Sequence, residues 1–380
     1  MQTVRIAIVG GGLAGLYAAL LLQERGIQDY VLLEARDVLG GRIASSADPA
    51  HLTIDCADDS IDGFDLGAAW FWPGFQQQLD RVVRELAIDR FEQFETGDII
   101  VERFPGEQPI RMRGYVNSPP SMRLAGGMSA LTGAVRRRLD TRRIMTGQAV
   151  RRLCATGACV ELNSQGADGR VTSWCAEHVF LAMPPRLAEE RIEFLPGLPE
   201  RLARQWRGTA TWMASHAKYV AIYDRPFWRD QGLSGAARSA IGPLSEIHDA
   251  SIPSGSAALF GFFGMPATVR RNSSADELRA HCRAQFARLF GPQAATPRAE
   301  FIKDWAQEPY TATAADQQPT RHHPSASSAT ADTHPWNTRL TGIASEWSPQ
   351  FPGYIAGAIE AASLGVAAWI ASSAPRARNS

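Results

Sequence analysis

The sequence lacks several features that would assign it to a common class of protein. Its 380 residues include only five cysteines, at Cys56, Cys154, Cys159, Cys175 and Cys282. None of them forms a CxxC pair, and their odd number argues against both a zinc site and a disulfide framework. We therefore predict reduced cysteines and a cytoplasmic protein. His322 and His323 stand in a polar loop without a second cluster of ligands, so we expect no metal ion.

The sequence also carries no net charge, because 39 Lys and Arg residues balance 39 Asp and Glu residues. A balanced chain has no overall field to attract nucleic acid or an acidic membrane. The densest basic run, "VRRRLDTRR" at 135–143, has no interleaved aromatics and is typical of the solvated face of a helix. Long apolar runs and a signal-like leader are missing too, so we expect no membrane span and no secretion.

The first part of the chain has the pattern of a dinucleotide-binding βαβ unit. The apolar run at 4–9 predicts a strand that is buried on both faces. It leads into GxGxxG at Gly10, Gly12 and Gly15, then a helix-like stretch, then a second apolar run that ends at Glu34. Gly10 permits a tight turn, Gly12 lets the backbone approach a pyrophosphate, and Gly15 lets helix pack on strand. Glu34 stands where a carboxylate accepts the ribose hydroxyls.

The next stretch, "EARDVLGGRI", favours FAD over a nicotinamide cofactor. Gly40 and Gly41 can form a second phosphate clamp, in which Arg42 pairs with the pyrophosphate charge. A nicotinamide enzyme has no need of this clamp, and Glu34 would repel the 2′-phosphate of NADP.

Near the other end, "SPQFPGYIAGAIEAA" at 348–362 predicts a helix that begins with very small side chains. Pro352 suits the start of a helix, and Ala356 and Ala358 are good helix formers with little bulk. Because a helix N-terminus presents unpaired N–H groups and partial positive charge, it suits an electron-rich ligand.

In their order along the chain, these motifs resemble those of the flavin-containing monoamine oxidase family, which includes polyamine and L-amino-acid oxidases. The matching stretches are "IAIVGGGLAGLYAA", "LLEARDVLGGRI", "DLGAAWFWP", "LAGGMSAL", "GQAVRRL", "VFLAMPPRL" and "ASEWSPQFPGYIAGAIEAA". The resemblance implies an α/β fold with a discontinuous, Rossmann-like FAD-binding domain and a substrate domain of mixed sheet and helices. We place the FAD-binding domain at 1–75, 124–208 and 305–375, the substrate domain at 76–123 and 209–304, and a disordered tail at 376–380.

The resemblance also implies which residues contact FAD. Gly67 and Ala68 would lie beside the flavin ring, and the backbone of Val150 would contact adenine. Trp305 would border the dimethylbenzene ring, and Glu346 would lie near the ribityl-phosphate region.

The start of the last helix would point at the flavin ring in this family. The N–H groups around Ile355 would face N1 and the C2 carbonyl, where negative charge collects on reduction. Tyr354 would form one wall of the substrate pocket.

The segment "SHAKYVAIYDRPFW" contains the main catalytic candidate. Alternation places Lys218 with Val220 and Ile222 on one face of a strand, so this lysine is either buried or faces a cleft. From the residues alone, a structural lysine with a packed apolar stem is the ordinary interpretation. The family, however, has a lysine before the same "FW" that holds a water against flavin N5. The resemblance therefore implies that Lys218 is catalytic, together with Tyr354.

Two positions depart from the family pattern. Ala314 stands where mammalian members bind the flavin covalently through a cysteine, so we expect non-covalent FAD. Ala315 stands where those members carry the second tyrosine of an aromatic cage. Candidate replacements are Trp70, Trp72, Trp212 and Trp347.

The resemblance implies an FAD-dependent amine oxidase that moves a hydride from the amine α-carbon to flavin N5, giving an imine, before dioxygen or another acceptor reoxidises the flavin. Alternatives are a C–C desaturase or porphyrinogen-type oxidase, a flavin-binding protein without turnover, and a nicotinamide dehydrogenase. An L-amino-acid oxidase would need an arginine for the carboxylate, and Arg229 and Arg238 are candidates. The expected partner is a small-molecule amine, with no nucleic acid and no membrane; a homodimer stays open.

Overall fold

The computed structural model describes residues 1–47, 63–253, 255–318 and 325–373. The strands in chain order are β1 (Gln2–Val9), β2 (Tyr30–Leu33), β3 (Ser45–Ala47), β4 (Gly63–Asp65), β5 (Arg90–Glu92), β6 (Asp98–Glu102), β7 (Ile110–Arg113), β8 (Met122–Leu124), β9 (Ile144–Met145), β10 (Ala149–Ala155), β11 (Val160–Gln165), β12 (Val171–Leu181), β13 (Glu193–Leu195), β14 (Ala217–Tyr223), β15 (Leu233–Ser239), β16 (Leu244–Asp249), β17 (Ala257–Phe263), β18 (Ala299–Asp304) and β19 (Leu340–Gly342). The helices are α1 (Leu13–Glu24), α2 (Gln77–Glu85), α3 (Ser129–Arg137), α4 (Pro185–Arg191), α5 (Glu200–Gly208), α6 (Phe227–Asp230), α7 (Ala267–Arg270), α8 (Ala275–Phe290) and α9 (Ile355–Ser373).

The first sheet is built around β1. This strand pairs in parallel with β2 on one side and with β12 on the other, and β2 pairs in parallel with β9. β12 also pairs with antiparallel β11 near its start and with parallel β19 near its end. β10 and β13 continue the sheet beyond β11. The predicted βαβ unit is confirmed, because β1, α1 and β2 follow one another with parallel strands.

α1 and α9 pack against each other in the core beside this sheet. Leu16 and Ala19 of α1 are fully buried in the same apolar cluster as Ile359 and Ala362 of α9. The first helix and the last described helix therefore share one core, although most of the chain separates them.

The second sheet has the order β18-β14-β17-β16-β15-β6-β7. β14 lies between antiparallel β17 and β18, and β6 joins the sheet through a parallel pairing with β15. Tyr219 of β14 is buried against Phe286 of α8, so one face of this strand points into the core. The two segments predicted to form the substrate domain thus supply the strands of a single sheet.

The prediction about the cysteines is wrong in one respect. Cys159 and Cys175 form a disulfide, with their Cα atoms 5.9 Å apart. The bond links the start of β11 to β12, where Glu161 pairs across the two strands with Cys175. This register follows from strand pairing and cannot be read from cysteine spacing. Cys154 and Cys282 are free, and Cys56 lies outside the described residues, so the cysteines no longer support a cytoplasmic location.

The expectation that no stretch approaches the length of a membrane span also needs correction. The 19-residue helix α9 is long and apolar enough to cross a membrane by length and composition alone. However, 56% of the tested window is buried inside the fold. A helix that packs in a core is apolar on most sides for that reason, so the length of α9 is only weak support for a span.

Candidate active site

A cavity of about 370 Å³ is lined by residues of both sheets and by the start of α9. The predicted site residues on its wall are Gly10, Gly12, Glu34, Gly41, Arg42, Gly67, Ala68, Val150, Lys218, Trp305, Tyr354 and Ile355. Gly15 and Glu346 are not part of the lining. The fold therefore brings residues from distant parts of the sequence to one cavity.

The turn between β1 and α1 needs glycine for two different reasons. Gly10 has φ +114°, which side chains rarely adopt, and an added Cβ would lie 2.7 Å from the carbonyl oxygen of Ala182. A Cβ on Gly15 would lie 2.0 Å from the carbonyl oxygen of Gly10. Gly15 therefore lets α1 pack closely on the turn, while Gly10 and Gly12 form part of the cavity wall.

Glu34 is held at the carboxyl end of β2 and is 5% exposed. Its two carboxylate oxygens accept hydrogen bonds from the backbone N–H groups of Gly11 (2.6 Å) and Arg36 (2.9 Å). Each oxygen has a second lone pair, so a hydroxyl of a bound ligand can still donate to this carboxylate. The Arg36 side chain also lines the cavity, where it donates to Thr311 Oγ1 at 2.8 Å. No sequence pattern singles out Arg36.

Arg42 and Glu346 form a bidentate ion pair. The guanidinium donates to the two Glu346 oxygens at 2.6 and 3.0 Å, and to Ser345 Oγ at 3.2 Å. Glu346 is fully buried and lies off the cavity wall. Its carboxylate therefore positions Arg42, whereas the sequence had placed Glu346 in contact with the ligand.

Lys218 is 2% exposed and lies on the cavity wall. Its ammonium donates to the carbonyl oxygens of Asp65 (2.9 Å) and Gly67 (2.8 Å). The ammonium also lies over the rings of Phe260 (4.3 Å) and Phe262 (5.4 Å). Burial lowers the pKa of Lys218 to about 7, although the Asp65 carboxylate opposes this shift. This lysine does not extend to solvent, so the ordinary structural interpretation does not describe it.

A group of buried charges lies behind Lys218. Asp65 accepts hydrogen bonds from Ser45 Oγ (3.0 Å) and the Met128 N–H (2.7 Å). Burial raises the pKa of Asp65, and the charges of Arg123 and Lys218 oppose the shift. Arg123, which is 3% exposed, takes part in the same group of charges. Sequence reasoning missed this group because Asp65 and Arg123 meet Lys218 only in the folded chain.

The four candidate tryptophans separate into two groups. Trp70, Trp72 and Trp212 line the cavity. Trp347 is 4% exposed and packs against Trp206 with ring centroids 5.2 Å apart, so it belongs to the core. Three tryptophans can therefore contribute to an aromatic wall.

Tyr354 and the first turn of α9 form another part of the wall. Tyr354 is 36% exposed and immediately precedes Ile355, where the helix begins. Burial raises the pKa of the Tyr354 phenol, so it stays protonated at neutral pH. The first N–H groups of a helix have no intrahelical partner, and here they belong to a turn that lines the cavity.

The structure places Ala314 and Ala315 differently from the sequence expectation. Both are exposed and lie outside the cavity lining, whereas Trp305 and nearby Thr311 belong to it. The chain turns away at Thr313, whose N–H and hydroxyl both donate to the Asp316 carboxylate. This local capping box could not be recognised from a count along the family pattern.

The two candidate carboxylate-binding arginines are engaged elsewhere. Arg229 donates to Asp249 at 2.9 Å and stacks on Phe94. Arg238 forms an ion pair with Glu246. Neither arginine lines the cavity.

A second cavity of about 390 Å³ adjoins the first and shares Met213, His216 and Phe262 with it. Sequence reasoning missed His216. The alternation that singled out Lys218 could have found it, because residues two apart on an extended segment face the same way.

No metal site is formed by the part of the chain that the structure describes: no group of three or more His, Cys, Asp or Glu residues there could hold an ion. His322 and His323 lie outside the described residues.

The residues that line the first cavity are suited to a dinucleotide that carries a conjugated ring. The turn at Gly10 and Gly12 leaves backbone exposed to a phosphate, Arg42 supplies a charge, and Glu34 keeps lone pairs for a ribose. Small residues at the start of α9 leave room for a flat ring beside its N–H groups.

Comparison with known proteins identifies the family. The sequence profile described as flavin containing amine oxidoreductase matches residues 110–368, and that of an NAD(P)-binding Rossmann-like domain matches residues 8–86. Probable flavin-containing monoamine oxidase A of Dictyostelium discoideum is 29% identical over 192 residues, covering 50% of this chain and 40% of that protein. Putrescine oxidase of Kocuria rosea is 29% identical over 207 residues, covering 50% and 41%. The matched part thus spans about two fifths of the length of these relatives.

Solved structures share the fold over nearly the whole chain. Wild-type putrescine oxidase bound to putrescine has a TM-score of 0.77 at 20% identity, covering 97% of this chain and 99% of that one. Cyclohexylamine oxidase from Brevibacterium oxydans IH-35A has a TM-score of 0.78 at 19% identity, with the same coverage. These likenesses concern the fold. The profile match covers more than half of the sequence, and the chain therefore belongs to the family of flavin-containing amine oxidoreductases, with FAD as its cofactor.

Proposed function

We propose that this protein is an FAD-dependent amine oxidase or dehydrogenase that acts on a small-molecule amine. The proposal rests on one observation: a single cavity is lined by the glycine turn, Lys218, Tyr354 and the start of α9. The bound flavin supplies the chemistry, since it accepts a hydride equivalent from the α-carbon of an amine. The protein binds the flavin, orients the amine against it and polarises the reacting groups.

Each part of the wall has a role in this proposal. Gly10 and Gly12 receive the pyrophosphate, with Arg42 as the opposite charge, and Glu34 receives the ribose hydroxyls. The N–H groups at Ile355 stabilise negative charge on the ring, because the helix N-terminus is partly positive and already oriented.

The substrate side of the cavity favours an amine without a carboxylate. The arginines on the wall come from the segments of the first sheet and its connections: Arg36, Arg42, Arg151 and Arg191. Among the described residues, β14, β17 and the segment before α9 add no arginine to the wall, whereas they add Lys218, Phe262 and Tyr354. An amino acid would leave its carboxylate next to aromatic carbon, which costs desolvation without a partner.

A C–C desaturase and a flavin protein without turnover are the competing functions. A buried ammonium at Lys218, held by two carbonyl oxygens, is costly to desolvate and has no use beside a purely hydrocarbon substrate. A non-catalytic role gives no reason for a buried lysine and the tryptophans Trp70, Trp72 and Trp212 on the wall of the same cavity.

The first test is reduction of the bound flavin under argon by a panel of primary and secondary amines. We expect at least one amine to bleach the yellow absorbance, and an amine without an α-hydrogen, such as tert-butylamine, to leave it unchanged. If dithionite bleaches the flavin but no amine does, the protein is not an amine oxidase.

We also expect one FAD per chain, bound without a covalent link. Ala314 lies outside the cavity wall, and none of the described cysteines lines it. Precipitation with acid or heat should leave the yellow colour in the supernatant. Colour that stays with the protein band in a denaturing gel would contradict this expectation.

Tyr354 should contribute an aromatic wall for the amine. Tyr354→Phe should keep kcat/KM within about twofold, whereas Tyr354→Ala should lower it about tenfold, since an aromatic contact is worth about 1 kcal/mol beyond its buried area. Steady-state kinetics with bound FAD quantified in each variant measures this. Equal kcat/KM for the alanine variant and the wild type would leave Tyr354 as a helix cap only.

Lys218 should assist electron transfer from the reduced cofactor to dioxygen. Lys218→Met removes the charge but keeps the length and apolar stem, so reoxidation should slow by about 10- to 1,000-fold while anaerobic reduction changes less. Because burial places the pKa of Lys218 near 7, the ammonium form is lost as pH rises through about 7. Wild-type reoxidation should therefore slow over that interval, and the variant should show no such dependence.

Stopped-flow measurement of each half-reaction tests this assignment. Lys303→Met is the matched control, because Lys303 is the other lysine of the chain and is engaged with Glu308. Unchanged rates of both half-reactions in Lys218→Met would make Lys218 structural. A slow reduction with normal reoxidation would move its role to the substrate.

A further inference from the structure

His216 lies at the boundary of the two cavities. It stands directly before β14, two residues from Lys218, and it belongs to the lining of both cavities. Its position is fixed by the backbone, since its carbonyl oxygen accepts the N–H of Trp305 at 3.0 Å and its own N–H donates to Met213. The ring contacts Phe262 edge-on, with centroids 6.5 Å apart. His216 therefore lies between the two cavities.

The imidazole is a neutral proton acceptor at pH 7. Burial lowers the pKa of His216, and the charge of Arg270 lowers it further. Nδ1 lies 3.3 Å from Ser215 Oγ. A neutral imidazole has one acceptor nitrogen, so the ring can exchange a proton with either the hydroxyl or a ligand.

The charged groups around His216 are themselves paired. Arg270 forms a two-bond ion pair with Asp304 at 2.7 and 2.9 Å. Glu246, on the wall of the second cavity, is engaged by Arg238 and His248. Lys218, on the same strand, donates to two carbonyl oxygens.

An amine substrate has to lose a proton in this site. In water at neutral pH an alkylamine is an ammonium ion, since the pKa of such a group is about 10.4. An ammonium nitrogen has no lone pair to support removal of hydride from the neighbouring carbon. The proton must therefore leave before oxidation, either to water or to a group on the wall.

Few of the described residues on the wall can take the proton. Arginines keep their protons, and Glu34 is bonded to two backbone N–H groups next to the glycine turn. Burial raises the pKa of the Tyr354 phenol, so it is no base at neutral pH. Lys218, which has a pKa of about 7, and His216 are left. Of these two, only His216 also lines the second cavity.

The second cavity gives the proton a route away from the site. Its wall includes the polar side chains of Ser215, Ser245, Glu246 and Arg270, and its volume of about 390 Å³ has room for several waters. His216 lines both cavities, so a proton taken from a ligand in the first cavity can leave through the second.

We propose that His216 is the proton acceptor of the reaction: its imidazole takes one proton from the substrate's ammonium group, which leaves a neutral amine in the first cavity, and then releases that proton to water in the second. This rests on the proposed amine oxidation. Proton and charge balance, because the ammonium becomes an amine while imidazole becomes imidazolium.

The test compares His216→Asn with His281→Asn, a matched control on the exposed side of α8. Anaerobic reduction of the flavin by a reactive amine is followed by stopped flow across pH. At pH 7 we expect His216→Asn to be reduced about 100-fold more slowly, the usual size of a general-base contribution. The difference should shrink as pH approaches about 10.4, where water itself supplies the neutral amine. The control should match the wild type throughout.

Several results would overturn the proposal. One is a wild-type rate and pH profile in His216→Asn, and another is a loss by the same factor at every pH, which indicates structural damage rather than a lost base. An altered pH profile in Lys218→Met with a normal one in His216→Asn would assign the proton to Lys218. If no amine bleaches the wild type, the proposed function itself fails, before any variant is compared.

A second measurement on the wild type needs no turnover. The ring-proton NMR signal of His216, assigned by its absence in His216→Asn or His216→Gln, is recorded at pH about 8 with tert-butylamine, which has no α-hydrogen. The ring stays neutral at this pH because its pKa lies far below that of the amine, so we expect its signal to shift on binding through a hydrogen bond from the amine to the imidazole, while that of His281 stays in place. A bound amine without this movement would contradict the proposal, even where the variant fails to fold.

Discussion

The ion pair between Arg42 and Glu346 connects the parts of the molecule on which the site depends. Arg42 follows Gly40 and Gly41, and Glu346 precedes α9, so their two hydrogen bonds join this glycine turn to the segment before a helix whose first turn lines the cavity. Arg42 also reaches the carbonyl oxygen of Trp212, in the segment that leads into β14. A fully buried carboxylate that lost its partner would cost about 3–5 kcal/mol. Arg42 is therefore held between the glycine turn, the segment that leads into β14 and the segment before α9.

Lys218 is a buried cation on the cavity wall, where a charge without partners is costly. Lys218 keeps its ammonium on the cavity wall through carbonyl oxygens and aromatic faces, with Asp65 close enough to oppose the loss of its proton. Arg123 acts in the other direction, since its charge lowers the pKa of Lys218. Burial is the main cause of the low pKa of Lys218, and these two neighbours act on it in opposite directions.

The parts of the site that sequence could predict are those written in local patterns. The glycine turn, Glu34, the strand that carries Lys218 and the start of α9 each follow from spacing or alternation over a few residues. The family resemblance then assigned them to one cofactor. This is why the lining of the cavity contains most of the predicted residues.

What sequence could not predict depends on contacts between distant residues. Glu346 was recognised as important, but its bond to Arg42 joins positions 304 residues apart and changes its role. Ala314 and Ala315 were placed by counting, whereas the capping box at Thr313 turns the chain outward. The disulfide of Cys159 depends on the register of two strands. No local pattern encodes any of these.

The packing of α9 on α1 has a consequence for how the protein is made. Contacts between such distant segments form late, because a long intervening chain must be ordered before its closure entropy is recovered. The first turn of α9 and the glycine turn before α1 line one cavity only when that docking is complete, so a chain without it has no complete cofactor pocket.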